Sequence, residues 1–113
     1  MYCKILPHQL RYVEGNTLPQ LSGRITNDDG SPTNILGYTI TLGINYHPEP
    51  VYITGQIKDA ANGEYVIPLT QEDLRAGTWK FQVEYVDASG GVVTLNRHPE
   101  TNQELELVVD QKI

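Results

Sequence analysis

The side chains able to do chemistry are few in this sequence, and their spacing is poor. Three histidines, His8, His47 and His98, each stand beside a proline. A zinc site needs ligands at close, regular spacing, such as two histidines four apart on one face, with others converging from a second element. None of the three has such a neighbour, which reads as exposed loop histidines. Asp28-Asp29-Gly30-Ser31 offers clustered oxygens, but a calcium loop of the EF-hand kind closes with a Glu at its twelfth position, and Thr39 stands there. The same residues spell a tight turn. Cys3 is the only cysteine, so no internal disulfide is available and no nucleophile–base pair is apparent. No serine occupies a nucleophile elbow, and Gly90-Gly91 lacks the Lys-Ser/Thr pair and the helix of a phosphate loop. The fourteen acids present no spacing that singles out a catalytic pair. Neither a catalytic residue, a metal ligand nor a cofactor is expected.

The tyrosines are the better lead. Tyr2, Tyr12, Tyr46 and Tyr52 fall near predicted strand ends or in the N-terminal stretch, and Tyr joins apolar area to a polar tip, which suits partner or sugar contacts. These four are the candidate partner-binding residues. The plain alternative is that they plug the ends of a sandwich.

What must position them is a set of strands. In Gly77 to Val86, Trp79, Phe81, Val83 and Tyr85 alternate with Lys80, Gln82 and Glu84, and this stretch holds the only Trp and the only Phe. Period-two alternation gives one apolar and one wet face. Further strands are predicted at Gln9–Val13, Leu18–Ile25, Leu36–Tyr46, Val51–Ile57, Glu64–Leu69, Val92–Asn96 and Glu104–Val109. Gly55 marks a bulge within its strand. Thr70 with Asp73, stopped by Gly77, predicts one short helical turn near residues 70–76. Seven or eight strands at intervals of roughly ten residues give an all-β, immunoglobulin-like antiparallel β-sandwich, with a small barrel as its rival. The 113 residues make a single domain, 1–113, with residues 1–8 an extended arm able to dock on a neighbour.

Charge and composition narrow the partners. Fourteen acids against eight Lys and Arg give a formal charge of −6 without a basic stripe, so nucleic acid is not an expected partner. No apolar run approaches the roughly 20 residues of a membrane span or forms a signal peptide, so no membrane partner is expected either.

The order of turn signals resembles one family. Glu14-Gly15-Asn16-Thr17, then Asp29-Gly30-Ser31-Pro32 leading to Leu36-Gly37-Tyr38, then Asn62-Gly63-Glu64-Tyr65, then Ala76-Gly77-Thr78-Trp79 are similar to the immunoglobulin-like N-terminal domain of phage baseplate upper proteins. The likeness runs from about Glu14 to Val109. It departs from the family where Asn16 replaces the usual Asp and Ile35 precedes Leu36. The family also continues into a coiled or fibre-linking region, whereas this sequence stops at Ile113, so attachment through the module's own faces is expected. The resemblance implies a non-enzymatic structural component of a phage virion, made in the host cytoplasm. It would be a tail or baseplate adaptor that docks other virion structural proteins, in symmetric copies of itself as a homo-oligomer. A capsid decoration protein and a carbohydrate-binding module for host-surface recognition are the alternatives.

Overall fold

A computed structural model describes residues 2–5, 9–13, 20–27, 29–70, 73–97 and 102–111. They form ten strands: β1 (Tyr2–Ile5), β2 (Gln9–Val13), β3 (Gln20–Thr26), β4 (Thr39–Ile44), β5 (Val51–Thr54), β6 (Gln56–Asp59), β7 (Glu64–Pro68), β8 (Gly77–Val86), β9 (Val92–Leu95) and β10 (Glu106–Asp110). One sheet has the order β1-β3-β7-β6; the other runs β2-β10-β8-β4-β5, with β9 also paired to β8. These are the A-B-E-D and G-F-C sets of an immunoglobulin-like sandwich, widened by an added strand beyond C.

The strand number exceeds the expected eight because Tyr2–Ile5 forms a strand where an arm was expected and Val51–Ile57 divides at Gly55; by position in the sheets the ten reduce to eight. β1 and β2 divide the first position between the two sheets, and β9 and β10 divide the last along β8. The first division changes two readings. Tyr2–Ile5 is no free arm, since it pairs antiparallel with β3, Tyr2 opposite Thr26 and Ile5 opposite Gly23. And the sandwich is not wholly antiparallel: β2 runs parallel to β10 from Gln9 opposite Glu106 to Val13 opposite Asp110. A parallel pair needs a long connection, and here almost the whole chain supplies it.

The core follows from the alternation. Phe81, Val83 and Tyr85 of β8, Ile40, Leu42 and Ile44 of β4, and Leu107 and Val109 of β10 are buried, facing Leu21, Ile25, Tyr65 and Ile67 of the other sheet. Trp79 is the partial exception, half-buried at the rim of this cluster. Gly23 stands opposite Tyr65 in the β3–β7 ladder, and a Cβ on Gly23 would overlap the Tyr65 ring. The glycine therefore leaves room for the largest side chain in that layer, consistent with close packing in protein interiors.

The predicted strand Leu36–Tyr46 is shortened at its start because Gly37 has a φ of +83°, a turn conformation that interrupts the ladder. Gly55 is not a bulge within one strand. It is the corner where the chain leaves β5 in one sheet for β6 in the other, donating from its N–H to the Ile40 carbonyl at 2.7 Å. A Cβ there would stand 3.0 Å from Ile67 Cγ1 and 3.1 Å from the Val66 carbonyl oxygen, so a crossing this close to the core favours glycine.

Among the described residues, the expected turn near 70–76 shows an i→i+3 hydrogen bond from the Asp73 N–H to the Thr70 carbonyl at 3.0 Å. The Asp73 carboxylate accepts from the Thr70 N–H at 2.6 Å and from its hydroxyl at 2.9 Å, which is one half of the capping box that the Thr–x–x–Asp spacing predicts; the Asp73 N–H goes to the Thr70 carbonyl and not to its hydroxyl. Residues 71–72 lie outside the described residues.

Candidate functional site

The four candidate tyrosines separate on inspection. Tyr2 lies in β1, opposite Thr26, and its side chain falls outside the described residues. Tyr12, in β2, is half-buried against the core, and burial pushes its phenol above the usual tyrosine range. Tyr46 is 1% exposed and belongs to the core, so it is no surface contact. Its hydroxyl donates to the Asp73 carbonyl and accepts from the Arg75 N–H at 3.2 Å. The segment between β7 and β8 is thus pinned from beneath, and the end-plug reading holds for this residue. Tyr52 alone of the described candidates is open to water, at 66%.

Tyr52 stands on the outer face of the six-stranded sheet, where it shares a rung with Gly43 of β4 and Gln82 of β8. A Cβ on Gly43 would lie 3.2 Å from Tyr52 Cε1 and 3.3 Å from both Tyr52 Cδ1 and Gln82 Cγ. The tyrosine ring therefore leans over the glycine backbone. This is the outward counterpart of the Gly23–Tyr65 pair inside the core, with solvent where the second sheet would be.

Beside that ring lies an open depression of about 330 Å³. Its walls include Gly43, Tyr52, Lys80, Gln82, Arg97 and Glu104. The break between β9 and β10 builds its far side. Arg97 and Glu104 form an isolated antiparallel bridge there, and the Leu105 N–H donates to the Asn96 carbonyl at 3.2 Å. Glu104 takes Lys80 Nζ at 2.5 Å and Arg97 Nη2 at 3.5 Å. The hydrogen bond and charge of Lys80, with a smaller contribution from Arg97, hold its carboxyl below the usual carboxylate range. Arg97 Nη1 also donates to the Asn102 carbonyl at 2.9 Å, fixing the guanidinium against a residue with a φ of +58°. The side chains at this edge are held by one another.

Other chemical candidates settle into structural roles. The Asp29 carboxylate accepts from the Ser31 hydroxyl at 2.6 Å and the Ser31 N–H at 3.0 Å, and these bonds lower its pKa. Asp28 lies outside the described residues. Gly90, at a φ of +90°, turns the β8–β9 hairpin, in which Asp87 accepts from the Ser89 and Gly91 N–H groups. His47 is exposed, its ring 6.3 Å from that of Trp79; His8 and His98 lie outside the described residues. Among the described residues, no group of three or more His, Cys, Asp or Glu side chains is placed to hold a metal ion. Among them, too, no helix is long and apolar enough to cross a membrane.

Sequence reasoning reached Tyr52 but not its surroundings. Gly43 carried a usable signal, since a glycine inside a strand marks a close approach of other groups. Its partner could not be found without the register, because β5 and β8 pair with β4 from opposite sides. Arg97 and Glu104 gave no signal, since the break that joins them falls between two stretches that each read as ordinary strand and loop. No protein family matches the sequence, and no curated protein matches it.

Proposed function

We propose that this protein is a non-enzymatic structural adaptor of a phage virion, attached to the tail or baseplate and docking other virion proteins through its own surfaces. The observation that carries the docking part is the apolar exposure on one sheet: Val92 is 59% and Val93 43% exposed on β9, and Leu36 is 74% exposed in the loop before β4. Gly37 and Ala88 approach closely, with a Cβ on Gly37 only 3.3 Å from that of Ala88, so this loop and the β8–β9 turn share one end of the sandwich. Exposed apolar side chains gathered in one region favour a protein contact over open water.

The phage assignment rests on the resemblance in turn order. Gly30, Gly37, Gly63 and Gly77, the glycines of the quoted motifs that lie among the described residues, all have positive φ, which explains physically why those motifs contain glycine. The test is particle association. Antibodies against the purified protein should label virions at the tail, and the protein should sediment with particles. Labelling of the head would instead favour capsid decoration, and absence from purified particles by both immunolabelling and mass spectrometry would overturn the proposal.

A further inference from the structure

We propose that the depression beside Tyr52 is a saccharide subsite that takes a neutral pyranose ring, free or within a longer chain. This goes beyond an adaptor role and stands on different residues from the apolar end of the sandwich.

Three observations carry it. First, an aromatic ring is presented to solvent on a rigid base. Tyr52 is 66% exposed, yet its ring leans over Gly43 in the middle of a paired strand and beside Gln82. An amphipathic ring held this way offers an apolar surface to the C–H face of a sugar and a hydroxyl to its rim. Second, polar groups with spare capacity border the space. Asn45, Gln82 and Asn96 line the depression, and their side-chain amides bond to no other described residue. An amide both donates and accepts, as does every sugar hydroxyl, so amides suit this ligand better than groups of one polarity. Third, the charges on the wall are already engaged. Lys80 and Arg97 both pair with Glu104, and Arg97 also donates to the Asn102 carbonyl. Held in this way, in a chain of net charge −6, the two cations give an anion little advantage. A phosphate-bearing ligand is therefore disfavoured, while charge-fixed side chains still offer strong hydrogen bonds to hydroxyls.

The depression is small and open. Its volume of about 330 Å³ lies near the lower end of the roughly 300–1,000 Å³ typical of ligand sites. One or two sugar rings fit that scale, and weak, millimolar binding is expected of a site that covers only part of its ligand.

The experiment is an NMR titration of the isotope-labelled full chain with maltotriose, cellotriose, mannotriose and N,N′,N″-triacetylchitotriose. Affinity electrophoresis through gels carrying mannan, β-glucan or glycogen runs in parallel. Shifts confined to Gly43, Tyr52, Gln82, Asn96 and Glu104 are expected with at least one probe. Retardation in a gel without shifts from free sugars would support the same site and identify a polymer as the ligand's source. Tyr52→Ala should weaken binding about tenfold or more, the scale of a lost aromatic contact. Tyr52→Phe should keep most of it, and Gln82→Ala supplies an independent loss without touching the ring. The proposal is overturned if no probe shifts these residues or retards the protein. It is overturned equally if Tyr52→Ala binds as the parent does, or if Tyr52→Ala abolishes particle association while no sugar binds, which would make this face a protein contact.

Discussion

Trp79 and Tyr46 meet edge to face, their ring centroids 4.7 Å apart and their planes at 88°, and both send their polar atoms to the same short segment. The indole N–H of Trp79 donates to the Arg75 carbonyl at 2.8 Å, while the Tyr46 hydroxyl bonds to the backbone of Asp73 and Arg75. The Arg75 guanidinium returns over the Tyr46 ring at 4.6 Å from its centroid, a favourable cation–π placement. Two aromatic side chains, one from β8 and one from just beyond β4, thus hold the connection that delivers the chain into β8.

Trp79→Ala should destabilise the protein by about 2–3 kcal/mol, less than a fully buried aromatic, because Trp79 is half-buried. Phe81→Ala, with its ring inside the core, should cost about 3–5 kcal/mol. Urea unfolding midpoints of the two variants check the order, and an equal or reversed order would show that the Trp79–Tyr46 contact outweighs simple burial.

Tyr46→Phe removes only a hydroxyl, yet it strands the Arg75 N–H and the Asp73 carbonyl that the hydroxyl serves. A loss of about 1–3 kcal/mol is expected, the range for leaving buried polar groups unpaired. Amide hydrogen exchange should show faster exchange at Arg75 than in the parent, while the Ile40 and Val83 amides, deep in the sheet, keep their relative order.

Burial also sets the behaviour of Tyr46 at high pH. Desolvation raises its phenol above the ordinary value of 10.0, with the hydrogen bond from the Arg75 backbone and the Arg75 charge working in the opposite direction. A group whose pKa is higher when folded contributes stability that is complete below its unfolded value and lost as pH rises through its folded value. Denaturation midpoints should therefore hold steady to about pH 10 and fall beyond it. The fall should be smaller in Tyr46→Phe, measured against that variant's own neutral-pH midpoint.

Gly63 and Gly30 separate two costs of replacing a turn glycine. Both have positive φ, at +69° and +88°. A Cβ on Gly30 meets nothing within 4 Å, whereas one on Gly63 would overlap the Ile25 carbonyl and stand 2.9 Å from the Thr33 carbonyl oxygen. Gly30→Ala should cost about 1 kcal/mol from backbone strain alone. Gly63→Ala should cost about 3 kcal/mol or more, because the strand bearing Ile25 must also move. Thermal melts of the two variants give the comparison.

These residues show what was legible in advance. The inward faces of β4, β8 and β10 followed from period-two alternation, because a strand with one side in a core has no other way to arrange its apolar residues. The turn around Asp29-Gly30 followed from Asp-Gly chemistry. Tyr46 was counted among the surface candidates for its place at a predicted strand end, yet it falls in phase with Ile40, Leu42 and Ile44, and that alternation is what the buried ring obeys. The division of Val51–Ile57 at Gly55 was hidden because a strand that changes sheets keeps the same local composition. The outer-face groove was the least legible feature, since Gly43, Tyr52 and Gln82 share a rung only through register, a property of pairs of strands.

The parallel pairing of β2 with β10 has a mechanical side. The two strands point the same way, joined rung by rung from Gln9 opposite Glu106 to Val13 opposite Asp110 and tied by the Arg11–Asp110 ion pair at 3.0 Å. Once β1 yields, tension arriving before Gln9 and leaving after Asp110 pulls these strands past each other along their length. Their hydrogen bonds are then loaded together in shear, not opened one at a time like a zip. An antiparallel closing pair pulled from adjacent strand ends would have peeled. A domain closed in this way resists stretching at the rungs that join its first and last strand positions.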